Sequence, residues 1–211
     1  MKKLKYIAIL GVFLTVFSGC EKLSLDLAPE SSVADGNFWK SPEQFESFIA
    51  GVHSRLRTYE LNFMVLGELR ADVFGDTPFS GEATQGWERF WFNTINSENP
   101  GISNYAGLYN LINQLNLLIY KTEPATNLTD ANRSYYLGQA YGLRAMCYFH
   151  ILRSWGETII MTDPSITFDI NNLAKAVSSE AEVMDLIKDD IQKSEQNFGT
   201  NYSFKYNDKA F

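Results

Sequence analysis

Asn132 to Gly156 reads NRSYYLGQAYGLRAMCYFHILRSWG, and this stretch decides the fold. Its apolar residues fall at Leu137, Tyr141, Ala145, Tyr148, Leu152 and Trp155, gaps of four, four, three, four and three. That is helical periodicity. A second stripe, Tyr136, Ala140, Leu143, Cys147 and Ile151, flanks the first and leaves only a narrow polar strip holding Gln139, His150 and Arg153. A helix apolar around most of its circumference belongs inside a protein, with neighbours on two or more sides. Gly138, Gly142 and Ala145 line one edge, where small residues let another helix axis come close at roughly 1 kcal/mol of helix propensity per glycine. Gly156 supplies the stop. The stretch is the central helix of an all-α domain.

Other helices are read outward from it. Ser41-Pro42-Glu43-Gln44 places Ser at the N-cap, Pro at N1 and Gln at N3, and opens an amphipathic helix through Phe45, Phe48, Ile49, Val52 and Leu56 to about Tyr59. A weaker helical pattern runs from about Phe63 to Phe74. A third helix, about Asn104 to Lys121, carries Leu108, Ile112, Leu115 and Ile119 on one face. Ser179-Glu180-Ala181-Glu182 is another capping box, opening a helix with Val183, Leu186, Ile187 and Ile191 that stops near Gly199. Asn207 to Phe211 reads as the first turn of one more helix, which suggests a fragment. The helix pairs resemble degenerate tetratricopeptide units, with Tyr141, Ala145 and Tyr148 in small-and-aromatic spacing of that type.

The N-terminus has a basic start, an apolar run from Tyr6 to Phe17, and Ser18-Gly19-Cys20. This is a secretory leader too short to stay as a membrane span. Phe17-Ser18-Gly19-Cys20 resembles a bacterial lipobox with Phe17 in place of the usual Leu, so residues 1–19 read as a lipoprotein signal peptide and Cys20 as the lipidated residue. Several acyl chains on one residue give stable anchoring. Residues 20–36 read as a tether, with Leu23, Leu25 and Leu27 alternating before Pro29, and 37–211 as the helical domain. The 211 residues, 45% hydrophobic and 14% aromatic, suffice for one globular core. Loss of Lys2, Lys3 and Lys5 with the leader takes 18 cations to 15 against 25 acids, a formal charge of −10. That balance argues against a nucleic-acid partner.

From Gly75 to Gly101 periodicity disappears in a long irregular loop rich in aromatics. Sugar rings present apolar C–H faces and hydroxyl edges, so a glycan site needs flat aromatics with polar side chains between them. Trp87, Trp91, Asn93 and Asn96, with Arg89, fit that chemistry. The competing reading is that the tryptophans pin the loop to the helices. If the segment before the loop stays helical, Glu68, Asp72 and Asp76 share a face, which raises a carboxylate glycosidase; a solvated acidic face or a loop-anchoring hydrogen-bond set is the plainer alternative. His53 and His150 have no partner at metal-ligand spacing, so no metal or cofactor is expected. Cys147 reads as core, and Asn116 as a buried amide tying its helix to neighbouring backbone.

The order of several weak motifs resembles the SusD/RagB family of outer-membrane glycan-binding lipoproteins. In order they are Cys20; Leu25-Asp26-Leu27-Ala28-Pro29; Asn37-Phe38-Trp39-Lys40-Ser41; and Gly67-Glu68-Leu69-Arg70-Ala71-Asp72. Leu108-Tyr109-Asn110-Leu111-Ile112 with Asn116 follows, then Leu143-Arg144-Ala145 with Tyr148-Phe149 and Trp155-Gly156. The resemblance covers the chain after its leader but only the N-terminal part of the family fold. One departure is Glu157-Thr158-Ile159-Ile160, where the family usually carries Pro. The resemblance implies tetratricopeptide-like helix pairs carrying an irregular ligand face, with Asp72 beside that face. It implies a surface-exposed outer-membrane lipoprotein that captures oligosaccharides without catalysis and passes them to a SusC-like TonB-dependent transporter. The alternatives are a protein-binding tetratricopeptide-like lipoprotein without a sugar site and, less favoured, the glycosidase.

Overall fold

The computed structural model describes residues 38–74, 88–96, 105–166 and 174–199. The signal peptide, Cys20, the 20–36 tether, Asp76, Trp87 and the helix start at Asn207 lie outside the described residues, as does most of the Gly75–Gly101 loop. The described residues are helical: α1 Pro42–Arg57, α2 Glu60–Leu66, a 3-10 turn Glu68–Arg70, α3 Glu88–Trp91, α4 Ala106–Thr122, α5 Asp130–Trp155 and α6 Glu180–Phe198. Thr158 and Ser178 form an isolated antiparallel bridge.

Local chemistry accounts for most of the boundaries. The Gln44 side chain accepts from the Lys40 and Ser41 N–H groups at 2.6 and 3.1 Å and closes the start of α1. Thr129 caps α5, its hydroxyl accepting from the Asn132 N–H at 3.2 Å. That moves the start of the central helix back to Asp130. Gly156 ends it at φ 77°, a conformation glycine adopts without strain. Ser179 and Glu182 form the reciprocal box that opens α6.

α5 is the central helix. It packs on α1, α4 and α6, and the all-α architecture is the one expected. The core runs through Phe45 and Ile49 of α1, Ile112 and Leu115 of α4, Tyr148 and Ile151 of α5, and Val183 and Ile187 of α6. Cys147 lies in it, fully buried and unbonded, and burial pushes its thiol up to about 12. The small-residue edge of α5 receives α6: the Phe198 ring lies over Gly138, and Ser194 donates to the Gly138 carbonyl at 2.7 Å. Trp39 packs on Phe45 and Phe48 and begins this unit.

Residues 158–165 run as an extended strap held by side chains of α4 and α5. Tyr109 donates to the Ile159 carbonyl at 2.6 Å, and Tyr148 to that of Met161 at 3.0 Å. Each phenol oxygen also accepts the N–H of the same residue. Asn116 donates to the Met161 carbonyl at 2.9 Å, as a buried amide tying helix to backbone should. Its oxygen accepts from Arg144, whose guanidinium is also paired with Asp190 of α6. Both are charges on otherwise apolar helix faces, made tolerable there by each other and by Asn116.

Candidate functional site

The helical pattern from Phe63 to Phe74 predicts one continuous element, and the structure corrects it. α2 ends at Leu66, where Gly67 adopts φ −109° and ψ −82°. A Cβ at Gly67 would meet the Phe63 carbonyl oxygen at 2.8 Å, so a larger residue requires the chain to move. A single 3-10 turn follows, and Asp72 then takes a left-handed φ of 58°. Glu68 and Asp72 therefore do not form the expected row on one helical face, and Asp76 lies outside the described residues.

This broken segment has a small apolar cluster of its own. Val65, Leu69 and Phe90 are buried together, with Leu66 and Trp91 packed against them. The cluster seats α3, a single turn, on the 3-10 turn. Such a short helix has no independent stability, so the cluster is what holds it.

The candidate residues assemble around α3. Arg70 donates from Nε to the Asn93 side-chain oxygen at 3.2 Å, and the Asn93 amide donates back to the Arg70 carbonyl at 3.4 Å. Asn93 sits at φ 53°, a left-handed conformation asparagine tolerates better than most residues. One turn away, Arg89 donates to the Asn96 side-chain oxygen at 3.0 Å. Trp91 is half-buried against the cluster, its ring edge-on to Phe92 at 6.2 Å. Its indole N–H is buried without a partner among the described residues. Phe92 is 58% exposed. Asp72 is exposed, two residues beyond Arg70.

Thus Arg89, Trp91, Asn93 and Asn96 share one short stretch, and Arg70 joins them across the chain. The arrangement offers two guanidinium–amide pairs beside an indole and an exposed phenyl ring. Planar donors and acceptors next to flat apolar faces suit a ligand with both hydroxyl edges and C–H faces. Arg70 pairs with Asn93 across the chain. Phe92 is one of the loop aromatics, and no spacing in the sequence distinguishes it. The chain also carries an open polar groove of about 550 Å³ between α1 and α4, lined by Ser54, Arg55, Thr58, Tyr59 and Asn110, which no motif signals. Among the described residues no group of three or more His, Cys, Asp or Glu side chains could hold a metal. No helix among them is long and apolar enough to cross a membrane.

No family model matches the chain. It is 33% identical over 211 aligned residues to SusD-like protein P38 of Formosa agariphila, covering 97% of this chain and 40% of that one. Its fold matches that of NanU from B. fragilis with a TM-score of 0.75 and 54% identity, over 85% of this chain and 35% of NanU. A laminarin-binding SusD-like protein shares the fold at a TM-score of 0.59 and 20% identity, covering 75% of this chain and 34% of that one. The chain thus spans about two-fifths or less of the length of these relatives.

Proposed function

This chain belongs to the SusD-like family, and from that premise we propose that it is a glycan-binding lipoprotein of a nutrient-uptake system. Cys20 anchors it in the outer membrane, facing the cell exterior. Its ligand face is the surface built by the 3-10 turn, α3 and residues 92–96. Captured oligosaccharide passes to a SusC-like TonB-dependent transporter, and the protein itself breaks no bond.

The observation that carries the reading is the clustering of Arg70, Asn93, Arg89 and Asn96 beside Trp91 and Phe92. The two arginine–asparagine pairs hold their planar groups before a ligand arrives, which lowers the ordering cost of binding. A hydrolytic role would need two carboxyl groups flanking one bond at about 5–5.5 Å or 6.5–9.5 Å. The break at Gly67 removes the helical row that suggested such a pair.

The test is a panel of oligosaccharides screened against the chain without its leader, each hit followed by calorimetry and by release of reducing sugar over hours. Binding without release is the expected result. Release of sugar would show an enzyme. Absence of binding across the panel would favour the protein-binding alternative.

A further inference from the structure

At its C-terminal end the polar strip of α5 is covered by the segment that bears the site. The His150 imidazole stacks on the Phe63 ring of α2, centroids 4.1 Å apart and planes 25° from parallel. Arg153 Nη2 lies 3.2 Å from His150 Nδ1. A guanidinium has donors only, so Nδ1 is the acceptor and the ring proton sits on Nε2. The same guanidinium lies close to Gly67: a Cβ there would stand 3.5 Å from Nη2. His150 and Arg153 together back the stretch that runs from Phe63 through the break into the 3-10 turn.

Among the described residues lining the crevice, none carries a charge that would neutralise a second cation. The crevice beside the ring takes Tyr59, Asn62, Phe63 and Leu66 from α2 and its approach, Leu108 from α4, and Ser154 and Trp155 from α5. None is a carboxylate, and Tyr59 is the one other titratable group lining it. Protonation would put a hydrogen on Nδ1, where Arg153 now donates. The hydrogen bond would be lost and an imidazolium would face a guanidinium. Attraction between the new cation and the Phe63 ring would offset part of that loss.

We propose that His150 is an acid-sensitive latch: neutral, it holds residues 60–70 against α5, and protonated, it lets them go. Burial first, and the Arg153 charge second, lower the affinity of the ring for a proton in the closed state. The closed state therefore binds fewer protons than the open one. Closure is at full strength above the ordinary histidine pKa of about 6.5 and weakens as pH falls below it. The latch belongs to the free protein and needs no ligand, so it stands or falls apart from the binding reading.

Hydrogen exchange on the full chain tests it at pH 7.5 and pH 5.5, each rate corrected for the intrinsic pH effect. Protection of residues 60–70 is expected to fall severalfold at the lower pH, while amides of α6 hold theirs. His150→Gln keeps an acceptor for Arg153 and a flat group for Phe63 but does not titrate, so its protection in 60–70 is expected to be independent of pH. His150→Phe serves as the second non-titrating variant should the first fail to fold. An equal fall in a folded non-titrating variant, or no fall in the unaltered chain, would overturn the latch.

Discussion

Arg144 and Asp190 form a bidentate ion pair inside the protein, Nε to Oδ2 at 2.8 Å and Nη2 to Oδ1 at 2.7 Å, with side chains 5% and 0% exposed. The third direction of the guanidinium is taken by the Asn116 oxygen at 2.7 Å. Asn116 in turn holds the Met161 carbonyl. One charged pair therefore ties together α4, α5, α6 and the strap.

Truncation of Asp190 to Ala leaves a buried guanidinium without its carboxylate, and is expected to cost about 3–5 kcal/mol of stability. The double variant Arg144→Met with Asp190→Leu removes both charges and should recover much of that loss, because well-packed apolar pairs often match buried ion pairs. Urea melts of the two singles and the double give the coupling directly. Additive losses would show that the pair does not act as a unit.

The small-residue edge of α5 supplies a second expectation, because its two glycines face different neighbours. A Cβ at Gly142 would stand 3.0 Å from the Ser194 hydroxyl, which is held by its bond to the Gly138 carbonyl. Gly142→Ala should therefore be near neutral, its helix-propensity gain of about 1 kcal/mol offset by strain on that bond. A Cβ at Gly138 would meet the Phe198 ring at 2.9 Å. Gly138→Val should overpack the site and cost about 1–3 kcal/mol. Thermal melts of both variants check the contrast; equal behaviour would mean that α6 does not pack on this edge.

The fold could be read in the sequence where its causes are local. Ser41, Ser179 and Gly156 mark helix ends through groups a few residues away, and the stripes of α5 follow from spacing alone. Arg144 and Asp190 could not be found that way. They lie 46 residues apart, and each looks like a stray charge until α5 and α6 are packed. Asp190 falls three residues after Ile187 on the buried face of α6, where a charge requires a partner. The end of α2 falls at Gly67, a local helix stop that the apolar periodicity runs past.

The candidate site was legible in composition and not in arrangement. Aromatics interleaved with Arg and Asn make residues 87–96 a candidate stretch. The Arg70–Asn93 pair depends on a left-handed backbone at Asn93 and a contact across 23 residues, and neither has a periodic signature.

Phe92 and Trp91 give the last expectation, because these adjacent rings stand in different environments. The Phe92 ring is 58% exposed and meets the Trp91 ring edge-on. Phe92→Ala should change stability by about 0.5 kcal/mol or less, as a surface substitution does. If the ring stacks on a sugar, the same change should remove roughly 2 kcal/mol of binding, more than tenfold in affinity. Trp91 packs on Val65, Leu69 and Phe90, the cluster that seats α3. Its replacement by Ala should cost about 1–3 kcal/mol, below the scale for a fully buried aromatic because the ring is half-buried. That loss should be local, with faster exchange at residues 65–70 and 88–91 and little change in α5, and weaker binding should follow from the loosened α3. Calorimetry with a bound oligosaccharide, run beside hydrogen exchange on each variant, separates the two roles. A folded Phe92→Ala protein that binds as tightly as the original would remove Phe92 from the ligand contacts. A folded Trp91→Ala protein with unchanged exchange but lost binding would make Trp91, and not Phe92, the sugar platform.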